Sequence, residues 1–179
     1  MEAHELIRAL NTGEMPPVGN GSASAQEISV APGLTAPHPL DMRRDVPIMG
    51  TAMGSVFENV EGFVFEGGPI DYARRPSALA HIKDLYAIYV ANDSMYPMHQ
   101  AGDLRFVNPR KPPVIGGSVI VQTRKHDDDP GQAYIKVLRK RTPVKIVLEQ
   151  FNPPATIEIP VQYVVSVHHV YTMNELFGV

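Results

Sequence analysis

Residues 89–107 read YVANDSMYPMHQAGDLRFV, and this stretch decides the fold because it holds a strand end, a tight turn and the start of another strand. Ser94 lies at the corner where the first strand stops. A hydroxyl at such a corner can be exposed, while nearby backbone N–H groups converge on an oxyanion. Serine is also a common cap of a short helix, and its position alone favours that simpler role.

Lys136 lies in the run Tyr-Ile-Lys-Val-Leu at residues 134–138, with apolar residues on both sides. Strand alternation puts Tyr134, Lys136 and Leu138 on one face. The neighbouring Tyr134 and Leu138 on that face partly desolvate the amine, and desolvation lowers the pKa of a lysine. A neutral lysine can remove the proton of a serine hydroxyl. The alternative is a lysine that extends from a half-buried strand to water.

Short runs of β-forming residues, separated by Gly, Pro and Asn, follow one another through the second half of the chain. These runs cover residues 85–90, 104–107, 118–123, 133–138, 145–150, 156–159 and 163–171. Many short strands with frequent turn signals are typical of an all-β domain. We therefore predict a mostly β, compact domain of short antiparallel strands with little helix.

The first 45 residues have a different composition. Residues 13–45 are rich in Gly, Pro, Ser and Ala, and they bury too little apolar surface to offset the entropy of ordering. We predict a flexible N-terminal arm or linker over residues 1–45 and a folded domain over residues 46–179. Residues 2–10 have the pattern of two helical turns, as at the end of a preceding domain.

Composition excludes several classes of function. The chain of 179 residues has a net charge of −3 and no cysteine, so it has no disulfide, no thiolate metal site and no overall basic surface for nucleic acid. We find neither an apolar run long enough to span a membrane nor a signal peptide, and expect a cytoplasmic protein without a cofactor. His168 and His169 are adjacent on a strand and point to opposite faces, so we predict no metal site.

The motifs around the serine and the lysine together resemble those of the LexA-like peptidases. The residues that match the nucleophile motif are Asn92, Asp93, Ser94, Met95, Pro97, Gly102 and Asp103. The resemblance implies that Ser94 is the nucleophile, that Lys136 is the general base, 136 − 94 = 42 residues later, and that the Met95 N–H binds the oxyanion. A second Gly-Asp of the family reads Gly116-Gly117 here, which is a departure from its pattern.

Residues 46–55 read VPIMGTAMGS and resemble the segment that these proteins cut in themselves. The family usually cuts between Ala and Gly, or between Cys and Gly. The preference for a glycine after the bond favours Met53-Gly54, whereas an ungapped match gives Gly54-Ser55. There is no Ala-Gly bond at this place. The alternative that the segment is cut poorly, or is not cut at all, therefore stays possible.

The resemblance implies the C-terminal domain of a phage-type transcriptional repressor, which dimerises and self-cleaves in the SOS response to DNA damage. Its partners would be a second copy in a homodimer and a RecA filament as co-protease. Operator DNA would bind only through an N-terminal helix-turn-helix domain, which we expect to be absent from this chain. The alternatives are a UmuD-like accessory protein, a non-cleaving dimerisation module with a vestigial site, and a signal peptidase without its membrane anchor.

Overall fold

The computed structural model describes residues 43–57, 60–126, 128–129 and 131–179. The predicted arm over residues 1–45 lies almost entirely outside the described residues. The strands are β1 (Arg44–Phe57), β2 (Val60–Arg74), β3 (Tyr86–Tyr89), β4 (Leu104–Asn108), β5 (Ser118–Thr123), β6 (Gln132–Arg141), β7 (Lys145–Phe151), β8 (Pro154–Pro160) and β9 (Val164–Val170). The prediction of a mostly β domain of largely antiparallel strands is confirmed.

The nine strands form one sheet in the order β2-β1-β3-β4-β9-β5-β6-β7-β8, and an additional pairing of β2 with β6 closes the sheet on itself. All pairings are antiparallel except that of β1 with β3. The closing contact is short, since only Phe63 of β2 pairs with Ala133 of β6. On the same edge of β6, towards its C-terminal end, the strand pairs with β7, and Val137 lies opposite Glu149.

Strand β6 is buried on both faces, with Ala133 through Leu138 all buried. Its odd-numbered residues from Ala133 to Val137 belong to one apolar cluster together with Met95 and Ile120, whereas Leu138 belongs to another together with Val119 and Leu148. A strand covered on both faces reads as a continuous apolar run. Lys136 is a lysine buried within this otherwise apolar run.

The chain ends in a helical turn, α1 (Met173–Phe177), which begins with a capping box between Thr172 and Glu175. Glu175 also accepts a hydrogen bond from Lys111 and lies 3.0 Å from Nε2 of the buried His169. These contacts fasten the end of the chain to β9 and to the loop after β4. No helix among the described residues is long and apolar enough to cross a membrane.

Candidate active site

The structure brings Ser94 and Lys136 together. Nζ of Lys136 lies 2.8 Å from Oγ of Ser94, which is hydrogen-bonding distance. Both side chains are buried, since 7% of Ser94 and 1% of Lys136 is exposed. A serine hydroxyl and a lysine amine in contact and shielded from water are the arrangement that serine–lysine chemistry needs.

Strand pairing places Lys136 in apolar surroundings. It lies opposite Val119 of β5, which is fully buried, and two residues before the buried Leu138. Transfer of an ammonium group from water into such a site is costly, so burial favours the neutral amine over the charged form. The neutral amine is the form that can take the proton of Ser94.

The turn that carries Ser94 is held by backbone hydrogen bonds to the end of β7. The Ser94 carbonyl accepts from the N–H groups of Phe151 at 3.1 Å and of Asn152 at 2.9 Å. Asn152 Nδ2 lies 3.3 Å from the Asp93 carbonyl. The turn thus fills the place along β6 between the pairings of β2 and β7. Asn152, which the sequence marks only as part of a turn, is a site residue.

The backbone N–H groups around Ser94 differ in their surroundings. The Ser94 N–H donates to Oδ1 of Asn92 at 3.2 Å, so this donor is already engaged. The Met95 side chain is fully buried in the inner apolar cluster, which fixes the peptide that precedes it. The role of the Met95 N–H in binding an oxyanion stays a prediction.

A buried histidine lies behind the serine turn. The backbone N–H of His99 donates to the Met95 carbonyl at 3.0 Å. Nε2 of the His99 imidazole lies 2.8 Å from Oγ of Ser118. Because the Ser118 hydroxyl is oriented towards the sulfur of Met98 at 3.3 Å, its oxygen accepts the Nε2 proton of neutral His99. Burial, assisted by the nearby Arg105, lowers the pKa of His99 from 6.5 to about 4.

Comparison with protein-family models identifies the family of the domain. Residues 47–168 match the family model described as Peptidase S24-like. The chain belongs to the Peptidase S24-like family. This confirms the resemblance to LexA-like peptidases that the motifs indicate.

A curated relative adds a biological context to the S24-like domain. Over 126 residues the chain is 35% identical to "Repressor protein C" of Rhizobium phage 16-3. The aligned region covers 69% of this chain and 47% of the relative. The S24-like chain therefore spans about half the length of that repressor.

The predicted cleavage segment of the S24-like domain lies in β1, which pairs with β2. Met53 is opposite Phe63, the residue that pairs with Ala133 of β6. The register shifts between Met53 and Val56, so both candidate bonds, Met53-Gly54 and Gly54-Ser55, lie at or beside an irregularity of the ladder. Which of them is cut stays a prediction.

Other titratable groups singled out in the sequence have separate structural contacts. His168 Nδ1 lies 2.8 Å from the Tyr86 hydroxyl, whereas His169 contacts Glu175. The two imidazoles therefore meet different partners, as expected for adjacent strand residues. Within the described part of the chain, no three His, Asp or Glu side chains are grouped as metal ligands.

Proposed function

We propose that this chain is the C-terminal domain of a phage-type, LexA-like repressor that cleaves itself through Ser94 and Lys136. The observation that carries the proposal is the 2.8 Å contact between the two buried side chains. Membership of the Peptidase S24-like family and the similarity to a phage repressor support it. The reaction is hydrolysis of one peptide bond of the chain itself.

The chemistry requires four proton transfers through one lysine. Neutral Lys136 takes the proton of Ser94 as Oγ attacks the scissile carbonyl, and the Met95 N–H stabilises the oxyanion. The resulting ammonium then protonates the leaving amine, which breaks the peptide bond and leaves an acyl-enzyme. Lys136 next removes a proton from water as the water attacks the acyl carbon, and it returns that proton to Oγ as the ester bond breaks, which releases the carboxyl product and regenerates Ser94.

The substrate segment is tethered to its catalyst. Tethering provides a high effective concentration, so a modest catalyst suffices once the segment is bound in the right geometry. In β1, Met53 pairs with Phe63 of β2, which itself pairs with Ala133 of β6. We propose that cleavage proceeds from a rearranged form in which the scissile carbonyl carbon reaches Oγ of Ser94. A RecA filament that binds the rearranged form better would raise its population and speed the reaction.

The repressor role needs more than this domain. We propose that the chain forms a homodimer, so that two DNA-binding heads reach paired half-sites. The heads would be helix-turn-helix domains N-terminal to the described domain. In a cytoplasmic protein of this kind, cleavage after DNA damage separates the heads from the dimerisation domain and ends repression.

The first test is mass spectrometry of the purified chain after incubation at about pH 7 and about pH 10, the higher value lying near the ordinary pKa of lysine. The proposal predicts two fragments whose masses identify the Met53-Gly54 or the Gly54-Ser55 bond. It also predicts that they form faster at the higher pH and are absent from Ser94→Ala. Equal cleavage of Ser94→Ala would disprove the mechanism.

A second candidate is a dimerisation module that does not cut itself. The observation that favours it is the sequence of the segment, where neither Met53-Gly54 nor Gly54-Ser55 is the Ala-Gly of the family. Its prediction is an intact chain at both pH values, with and without activated RecA. Size-exclusion chromatography with light scattering would then still show a dimer. A UmuD-like accessory role differs from both in predicting cleavage without any DNA-binding domain in the parent protein.

A further inference from the structure

Gln150 is a buried polar residue at the end of β7 that the proposed reaction does not yet use. Only 2% of it is exposed. Its Nε2 donates to the Pro153 carbonyl at 3.0 Å. Its Oε1 is buried and has no hydrogen-bond partner among the described residues. A buried amide oxygen without a donor destabilises the fold, so a hydrogen-bond partner for it is expected at some stage of the reaction.

The strand register predicts that the Gln150 side chain lies next to Lys136. Leu138 pairs with Leu148 and Val137 with Glu149, where the pairing of the two strands ends. One further step in the same antiparallel register would bring Lys136 opposite Gln150. Residues directly opposite each other point to the same face, with Cβ atoms about 5 Å apart. The burial of alternate residues in β7, ending with Leu148 and Gln150, agrees with that orientation.

The same end of β7 also holds the nucleophile. The next two residues, Phe151 and Asn152, donate their N–H groups to the Ser94 carbonyl. Gln150 is thus connected to the site in two ways. Its backbone neighbours fix the serine turn, and its side chain lies on the face from which Lys136 reaches Ser94.

We propose that Gln150 is a positioning residue whose Oε1 accepts a hydrogen bond from the ammonium form of Lys136. That ammonium appears when Lys136 has taken the proton of Ser94, and an ammonium group offers three donors. A neutral amide oxygen stabilises the charge without being a fixed counter-ion, so the resting lysine is still able to lose its proton. This inference rests on the proposed Ser94–Lys136 mechanism.

Several titratable groups lie on the described elements around Lys136. Tyr134 shares its face of β6, Asp93 precedes the nucleophile in the turn, and His99 lies behind that turn on Ser118. On the far side of β5, His169 of β9 is opposite Val119, the residue that pairs with Lys136. Glu149 lies on the opposite face of β7 and pairs with Arg139. Gln150 itself does not titrate, so its replacement changes the proton affinity of Lys136 without adding or removing another pH-dependent group, unless the new residue is Glu.

The experiment compares Gln150→Met, which removes the acceptor at similar volume, with Gln150→Glu, which keeps an acceptor oxygen and adds charge. Exposed Gln162→Glu is the control for charge alone. Two measurements are made on the full chain. One is the pH profile of self-cleavage, and the other is an NMR titration of the Lys136 Cε resonance, identified by its absence from Lys136→Met.

We expect the titration midpoint of Lys136 to fall by about half a unit or more in Gln150→Met and to rise by about one unit or more in Gln150→Glu. The cleavage profile should move in the same directions, and the maximal rate of Gln150→Met should fall about tenfold. Gln162→Glu should match wild type. If Gln150→Met does not fold, the upward shift in Gln150→Glu decides alone.

If the titration midpoint of Lys136 shifted in the same direction in Gln150→Met and Gln150→Glu, the hydrogen bond to Pro153 would be the cause and not the Oε1 acceptor. That result would overturn the inference. Unchanged midpoints in the folded variants would overturn it as well. A wild-type chain that never cleaves would contradict the proposed function instead. The NMR titration would then still show whether Gln150 acts on Lys136.

Discussion

The backbone carbonyl of Ser94 accepts a hydrogen bond from the Asn152 backbone N–H at 2.9 Å, although the two residues are 152 − 94 = 58 positions apart in the sequence. The serine turn is thereby fixed to the end of β7 by main-chain bonds. Its position does not depend on the side chain of Lys136. Substitution of Lys136 can therefore test its role in the reaction separately from its effect on stability.

Lys136→Met should abolish self-cleavage and leave the fold at least as stable as wild type. The amine is 1% exposed, and replacement of a buried charged or polar group by an apolar one of similar volume is often stabilising by about 1 kcal/mol or more. Urea unfolding measures the change. The exposed Lys140→Met is the control and should shift stability by less than about 0.5 kcal/mol. Strong destabilisation by Lys136→Met would show that the lysine is a structural necessity.

His99 should make the domain less stable in mild acid. Its pKa is lowered to about 4 in the folded chain, against about 6.5 when unfolded. Below pH 6.5 the unfolded chain binds a proton that the folded chain does not, so stability is complete above about 6.5 and falls until about 4. We expect a loss of about 2–3 kcal/mol from this difference in pKa.

The check is urea unfolding of wild type and His99→Gln between pH 7 and pH 4. The variant should lose less stability over this interval, because glutamine can still donate to Ser118 but does not titrate. Exposed His81→Gln is the control and should follow wild type. Parallel curves for wild type and His99→Gln would show that other groups cause the acid sensitivity.

Gly62 is required where β2 approaches β6. A Cβ at this position would lie 2.7 Å from Gln132 Oε1, 2.9 Å from the Tyr134 ring and 3.3 Å from the Ala133 carbonyl. Gln132 can move aside, but the ring and the backbone of a buried strand cannot do so easily. We expect Gly62→Ala to cost about 1–3 kcal/mol through overpacking. Gly68→Ala, whose Cβ would meet nothing within 4 Å, should be close to neutral in the same urea unfolding experiment. Equal stability of the two variants would contradict the close approach.

The parts of the fold that the sequence predicts are those with local signals. β5 was predicted over the same residues, Ser118–Thr123, because β-branched residues are bounded by glycines on one side and charges on the other. β2 (Val60–Arg74) is absent from the predicted strands, and Gly67-Gly68-Pro69 interrupts its β-forming residues. In the structure the strand continues through this place as a register shift, with Gly50 opposite Glu66 and Met49 opposite Pro69. A bulge of this kind is not distinguishable from a turn in one sequence.

The residues of the candidate site also divide into those that have a local sequence signal and those that do not. Ser94 and Lys136 are predictable because each lies in a recognisable local motif at the expected separation. Asn152 contributes through a backbone bond between distant segments, and the proposed role of Gln150 depends on strand register. Nothing in the local sequence around either residue marks it. The alternation of β6 is predictable from sequence, but the burial of both its faces depends on how the sheet closes.

The most direct test of the central claim is the rate of self-cleavage at about pH 10, near the ordinary pKa of lysine, in four variants beside wild type. Ser94→Ala and Lys136→Ala remove the proposed pair, while exposed Ser77→Ala and Lys140→Ala are matched controls. The account predicts cleavage at the wild-type rate in both controls and a loss of at least about 1000-fold in each variant of the pair. Fragments from Ser94→Ala or Lys136→Ala at the control rate would contradict it.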